Sequence, residues 1–376
     1  MFKGKIPPVG AYCMQIGVPK EIKDHEYRVG LTPDSVKALV SELHQVFIEQ
    51  GAGVEAGFVD EAYEAAGAHI VSSAAAIFEK ADLIVKVKEP QPIEYQQLRS
   101  GQILAAFLHL APDIQQAKGL LASGCTAFAY ETLMDEQGKL PLLAPMSEIA
   151  GALAIQAAAY FLLKTEGGSG VLLSQITKVN KAKVVVLGGG VAGTAAIRGA
   201  VGLGCDVTVL DKSLMQLENL EEMFQDRITR VLADPTAIAE AVSGADVLIG
   251  AVLVPGGAAP KVISRDLLRT LNKNAVIVDL AIDQGGCFET SRATTYSQPI
   301  YIEEGIVHYC VTNMPAGVPK TASIALNQAT LPFILLLANK GVNQAIVENA
   351  SLKSSLNIYA GQLMHAGVAA SLKIFN

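Results

Sequence analysis

Short apolar runs rich in β-branched residues alternate with helical stretches along almost the whole chain. From residue 15 to residue 131 the apolar runs are QIGV, QVFIE, HIV, LIVKV, QILAAF and TAFAYE. Helical stretches lie between most of them, from Pro33 to Leu43, Glu61 to Ala66, Ala74 to Lys80 and Asp113 to Ala122. Strand and helix in alternation predict a parallel sheet covered on both faces. A second series opens at Lys183 with KVVVL, DVTVL, RITRVL, DVLIGA, AVIVDL and IVHYCV. Six strands in such a series are what a complete dinucleotide-binding sheet needs.

Two long apolar stretches bracket the second series. SEIAGALAIQAAAYFLLKTEGG opens at Ser147, which can cap a helix, and closes at Gly167 and Gly168. TASIALNQATLPFILLLANKG follows the series and is expected to kink at Pro332. The expected fold class is therefore α/β: two doubly wound parallel-sheet, Rossmann-like domains joined by two long helices. Residues 1–145 with 320–376 would form a discontinuous substrate and catalytic domain, and residues 146–319 the nucleotide-binding domain.

Composition narrows the function. A chain of 376 residues suits two cores better than one. The formal charge of −7 includes no dense basic run, which argues against a nucleic-acid surface and for a small-molecule partner. Mean hydropathy is +0.35, yet no uninterrupted apolar run reaches the roughly 18 residues of a membrane span, so buried helices are expected. Five cysteines (Cys13, Cys125, Cys205, Cys287, Cys310) are odd in number, widely spaced and never in a C-x-x-C pattern, which fits a reducing cytoplasm without disulfides or zinc. No histidine has metal-ligand spacing, and no metal is expected. The first residues, MFKGKIPPVGAYCMQ, lack a signal-peptide core and read as a short extension.

The segment KVVVLGGGVAGTAAIRGAVGLGCDVTVLD carries the clearest chemistry. A strand turns through Gly188, Gly190 and Gly193 into a helix, and the next strand ends at Asp211. Such glycines permit a tight turn, close backbone approach to pyrophosphate and close helix–strand packing, while the helix start at Val191 and Ala192 faces the anion. Asp211 would accept hydrogen bonds from ribose hydroxyls and repel a 2′-phosphate, so NAD is expected rather than NADP.

Ligands of open parallel sheets collect beyond the carboxyl ends of the strands. There the first series delivers Lys88 and His109, and the second delivers Asp283, Asn313 and Met314. If the two edges face one another across a cleft, Lys88, His109 and Asp283 can surround a nicotinamide. Each also has a plainer reading. Lys88 stands beside Glu89 and can be a solvated charge, while His109 sits between two leucines and can be a satisfied core residue. Asp283 and Asn313 can be turn formers. Ser147 is first a helix cap and only second a cofactor contact.

At these strand ends the sequence resembles the alanine dehydrogenases, NAD-dependent enzymes that interconvert L-alanine with pyruvate and ammonia. The likeness runs from Gln15 to Gly341 and includes IGVPKEIKDHEYRVGLTP, KVKEP, FLHLA, PLLAPMSE, AVLVPG, VDLAIDQGG and NMPAGVPKT. The resemblance implies that Arg28 holds the substrate carboxylate, that Lys88 binds near the carbonyl, and that His109 serves as acid or base. By the same resemblance Asp283 assists the water and amine chemistry, Asn313 and Met314 contact the nicotinamide region, and Ser147 and Asp211 contact the cofactor. A cytoplasmic homohexamer acting in L-alanine catabolism is implied as well. Departures from the family pattern stand at Ala152, Ala258, residues 174–179 and Gln216. Two alternatives remain: the related NAD-binding component of proton-translocating transhydrogenase, and a homologue impaired in catalysis. Against the first stands AIDQGG in place of the A-V-E-A-G-G turn of that component.

Overall fold

The computed structural model describes residues 13–252 and 259–372. Residues 1–12 of the amino-terminal extension and Ala258 lie outside the described residues, while Gln15, at its end, already begins the first strand. The chain divides into two compact units, one built from residues 1–146 and 316–376 and the other from residues 147–315.

In the first unit the strands β1 (Gln15–Val18), β2 (Gln45–Glu49), β3 (His69–Val71), β4 (Leu83–Val85), β5 (Ile103–Ala106) and β6 (Thr126–Ala129) are all parallel. β4, β5 and β6 are buried at every position, as expected of strands covered on both faces. The helices between them are locally encoded. Pro33–Ser41 has Thr32 at its cap and proline at its start, and Ile114–Ser123 is capped by the Asp113 carboxylate.

The second unit contains β7 (Lys183–Leu187), β8 (Asp206–Asp211), β9 (Thr229–Leu232), β10 (Val247–Gly250), β11 (Val276–Asp279), β12 (Ile300–Glu303) and β13 (Ile306–Tyr309). Its sheet runs β12-β13-β11-β10-β7-β8-β9. Without β12 this is the six-strand order of a dinucleotide-binding fold, reversing direction between β7 and β10. The antiparallel β12 is an addition to the six expected strands. Glu304 and Gly305 join it to β13 with φ of 53° and 75°, the left-handed pair that a two-residue hairpin requires.

The chain then returns to the first unit, where β14 (Leu356–Tyr359) pairs antiparallel with β6 and β15 (Gln362–Leu363) closes the edge. The first sheet thus runs β15-β14-β6-β5-β4-β1-β2-β3.

Both long helices exist with different limits. The first spans Ala144–Phe161, so Ser147 lies inside it and is not its cap. A turn at Leu140 already bonds the amides of Leu143 and Ala144, and Pro145 has its φ set for a first helical turn, so the helix nucleates before Ser147. Its expected end at Gly167 is replaced by a separate 3-10 turn, Lys164–Glu166. The second helix, Pro319–Glu348, keeps helical dihedrals through Pro332 and breaks at Gly341, with φ 68° and ψ 168°. By length and composition this helix could cross a bilayer, but Leu326, Ile334 and Leu337 are buried within the molecule.

Candidate active site

Three segments of the first unit bring its chemistry together. The loop after β1 carries Arg28, the exit of β4 carries Lys88, and the exit of β5 carries His109. Gly30 permits the first approach: a Cβ there would lie 2.4 Å from the carbonyl oxygen of Val85, the last residue of β4.

Arg28 is buried and forked onto Glu26, with Nε donating to Oε1 at 2.7 Å and Nη2 to Oε2 at 2.5 Å. Its Nη1 lies 3.1 Å from Met146 Sδ. Glu26 therefore engages at least two of the five guanidinium N–H groups. Lys88 is 7% exposed, and its Nζ stands 3.4 Å from His109 Nε2.

His109 adopts φ 48°, a left-handed conformation that non-glycine residues rarely hold without support. The support is Glu131, at the exit of β6, whose Oε1 accepts the His109 N–H at 2.7 Å and whose Oε2 accepts the Leu108 N–H at 3.1 Å. The Phe107 ring lies parallel to the imidazole at a centroid distance of 6.0 Å. Burial, followed by the charges of Lys88, Lys23 and Arg28, holds the imidazole well below its ordinary value of 6.5. It is thus neutral at neutral pH and able to accept a proton. Lys23 forms an ion pair with Glu89 beside this group.

The second unit carries a glycine-rich turn between a strand and a helix, a cradle of the kind that accepts a nucleotide. Gly188 has φ 96°, and a Cβ on Gly193 would lie 1.9 Å from the Gly188 carbonyl, so neither position tolerates a side chain. Gly190 caps the helix Val191–Leu203 without a side-chain hydrogen bond. Gly190 and Val191 are exposed and Ala192 is half-exposed, leaving the first helical amides turned outward where a pyrophosphate would bind. Asp211 closes the cradle, accepting N–H bonds from Gly189 at 2.7 Å and Ser213 at 2.8 Å. Gln216 donates its Nε2 to the Gly189 carbonyl at 2.5 Å, so this departure from the family pattern is tied into the turn. These residues suit a dinucleotide: the amides suit its phosphates, and each oxygen of Asp211 keeps a second lone pair for a ribose hydroxyl.

Asp283 is exposed on the 3-10 turn Ile282–Gln284 beyond β11. That turn is held by Asp279, which accepts from the amides of Ala281 (3.0 Å) and Cys287 (2.9 Å) and from the Ser291 hydroxyl (2.5 Å). Asn313 has φ 56°, while the Met314 side chain belongs to the core of this unit and its carbonyl accepts the Tyr296 hydroxyl at 2.5 Å. Ser147 is half-buried in the second turn of its helix.

Sequence reasoning passed over Glu26, Glu131 and Asp279. Glu131 ends the run TAFAYE, so the strand-end rule that found Lys88 and His109 contained it. Among the described residues, no group of three or more histidine, cysteine, aspartate or glutamate side chains could hold a metal.

A six-strand sheet of dinucleotide-binding order with a glycine-rich turn into a helix, carried with a second α/β unit that holds arginine, lysine and a neutral histidine, has the features of a nicotinamide-dependent dehydrogenase. The "Alanine dehydrogenase/PNT" models for the N-terminal and C-terminal domains match residues 17–150 and 154–366. The chain belongs to this family. It is 50% identical to an alanine dehydrogenase of Halomonas elongata, with 95% of this chain and 96% of the relative covered. It is 46% identical to one of Bacillus subtilis, with 96% and 95% covered. A solved L-alanine dehydrogenase superposes with a TM-score of 0.92 at 47% identity, covering 96% of this chain and 99% of the other. A transhydrogenase from Sinorhizobium meliloti superposes with a TM-score of 0.80 at 26% identity, covering 94% and 99%.

Proposed function

We propose that the chain catalyses the reversible, NAD-dependent oxidative deamination of L-alanine to pyruvate and ammonia. The observation that carries the reading is the pairing of Lys88 with a neutral His109 at 3.4 Å, supported by the near-full-length relatives. Bound NAD supplies the acceptor for the hydride that leaves the amine carbon. Arg28 holds the substrate carboxylate, for which its planar fork is suited, while Glu26 fixes its orientation. Lys88 binds near the carbonyl or imine oxygen or nitrogen. His109 takes the proton released as water adds to the iminium carbon and returns it to the departing amine. Asp283 assists that exchange. Asn313 and Met314 contact the nicotinamide region; Ser147, Gly188, Gly190, Val191, Ala192, Gly193 and Asp211 bind the remainder of the cofactor. Asp211 supports NAD over NADP because its charge would oppose a 2′-phosphate.

A cytoplasmic homohexamer is part of the same reading. All five cysteines are free thiols, and Tyr160 and Leu163 stand exposed on and beside the first long helix. A mass measurement in solution tests the assembly. Purified protein assayed for NADH formation with a panel of amino acids, and for NADPH formation in parallel, tests the activity. Alanine should be the preferred substrate with NAD; absence of alanine turnover would sink the assignment.

A further inference from the structure

We propose that Glu21 is a positioning residue for Lys88, acting through the main chain of Val87 and the side chain of Lys86. The proposal deepens the reading of Lys88 as a substrate-binding group and rests on it. β4 ends at Val85, so residues 86–88 leave the sheet before Lys88 is presented. They still track the exit of β5: Lys86 donates its N–H to the Ala105 carbonyl and Phe107 donates to the Val87 carbonyl, each at 3.0 Å. The two lysines of VKVKEP have separate environments. Lys88 reaches His109, whereas the Lys86 side chain is wholly buried between two carboxylates.

Glu21 grips consecutive residues. Its Oε1 accepts the Val87 N–H at 2.7 Å, and its Oε2 stands 3.0 Å from Lys86 Nζ. Glu94 completes the cluster, with Oε1 at 2.8 Å from Lys86 Nζ and Oε2 accepting the Gln91 N–H at 2.7 Å. Val87, the residue that precedes Lys88, is therefore bonded at its N–H by Glu21 and at its carbonyl by Phe107, two residues before His109. Lys88 and His109 are set against each other through this short bonded path. A fully buried ion cluster is weak support for stability, because apolar replacements of similar volume are often neutral or stabilising. Holding a functional lysine in register gives the cluster a purpose that stability alone does not.

The charged and titratable groups facing Glu21 are Lys86, Glu94, Glu26 and the Tyr130 phenol. Burial pushes the Glu21 carboxyl up to about 7, against the pull of Lys86 and with Glu26 and Glu94 adding to the rise. Protonation near neutrality removes one of the two anions on Lys86 and loosens the grip on residues 86–88.

The test is made on the full chain with Glu21→Gln, Glu21→Asp and, as a control, Lys88→Ala. Glu21→Gln should raise the pyruvate KM about tenfold or more, the effect of one lost charge-assisted hydrogen bond, with NADH affinity by fluorescence unchanged. In the unmodified enzyme the pyruvate KM should rise as pH falls through about 7, and Glu21→Gln should abolish that inflection. Glu21→Asp keeps the charge with a shorter reach and should give an intermediate KM; it carries the same test if Glu21→Gln does not fold. Wild-type KM, turnover per folded molecule and pH inflection in a folded Glu21 variant would overturn the proposal, whatever its thermal stability. Wild-type pyruvate KM in Lys88→Ala would instead overturn the role given to Lys88.

Discussion

The ion pair between Arg28 and Glu26 allows substrate binding to be separated from structural support. Its side chains are 1% and 0% exposed, so Arg28→Met leaves a carboxylate in the interior after its bidentate arginine is gone. Removing one member of such a pair typically costs about 3 to 5 kcal/mol. In a domain of this size each kcal/mol lowers the melting temperature by about 2 to 4 °C, so a fall of about 6 to 20 °C is expected. The companion variant Arg28→Met with Glu26→Gln removes both charges and should recover most of that loss. Substrate binding should behave differently. A charge-assisted hydrogen bond to the pyruvate carboxylate is worth about 1.5 to 3 kcal/mol, so pyruvate KM should rise about 10- to 150-fold in the single and the double variant alike. NADH affinity, followed by fluorescence, should change in neither. Thermal unfolding and steady-state kinetics on the same preparations read both quantities. Recovery of pyruvate KM together with stability in the double variant would refute the reasoning and leave Arg28 as the counter-ion of Glu26.

Three further expectations follow from the site. His109→Ala and Asp283→Ala should each lower turnover at least about a hundredfold, with the double variant little worse than the more damaged single one; near-normal turnover per folded molecule in either single variant removes that residue from the mechanism. The His109 imidazole, followed by its resonance in histidine-labelled protein, should titrate below 6.5, and a midpoint at or above 6.5 contradicts the burial argument. Because the unfolded chain protonates this site first as pH falls, His109 leaves stability unaffected above pH 6.5 and diminishes it below, a slope that His109→Gln should lessen. Asp211→Ser should raise the KM for NAD about tenfold or more and relax discrimination against NADP, since it removes the ribose acid and the bond to the Gly189 amide; equal use of NADP by the unmodified protein would refute the cofactor assignment.

The parallel strands were legible because each is an apolar run bounded by polar turns, a pattern imposed by burial on both faces. β12, β14 and β15 were not: β12 and β15 are short antiparallel edge strands that keep polar positions, and β14, between β15 and β6, is a run of only four residues that includes the buried Asn357. Their turns did carry a signal: Glu304-Gly305 and Ala360-Gly361 both take positive φ. The positions of Lys88, His109 and Asp283 beyond strand ends were readable because the strands themselves were. Arg28 could not be placed by that rule and came from the resemblance alone. Glu26, Glu131 and Glu21 read in a sequence as ordinary solvated acids. Only the folded chain shows that the first grips an arginine, the second caps the amides at His109, and the third binds the amide before Lys88. Ser147 had the composition of a cap, but a turn and a proline upstream had already begun the helix.

The late return of the chain sets an order of events during synthesis. Asn357 in β14 donates to the Thr132 hydroxyl just beyond β6, across a separation of 225 residues. At about 5 to 20 residues per second, roughly 10 to 45 s pass between the emergence of these two partners. The second unit is contiguous and its whole sequence emerges within that interval, while β6 waits as an open edge with unfilled backbone donors and acceptors. Closing that edge depends on the last strands to be made, so damage to β14 acts first on how much nascent chain escapes aggregation and only afterwards on how well the finished enzyme works.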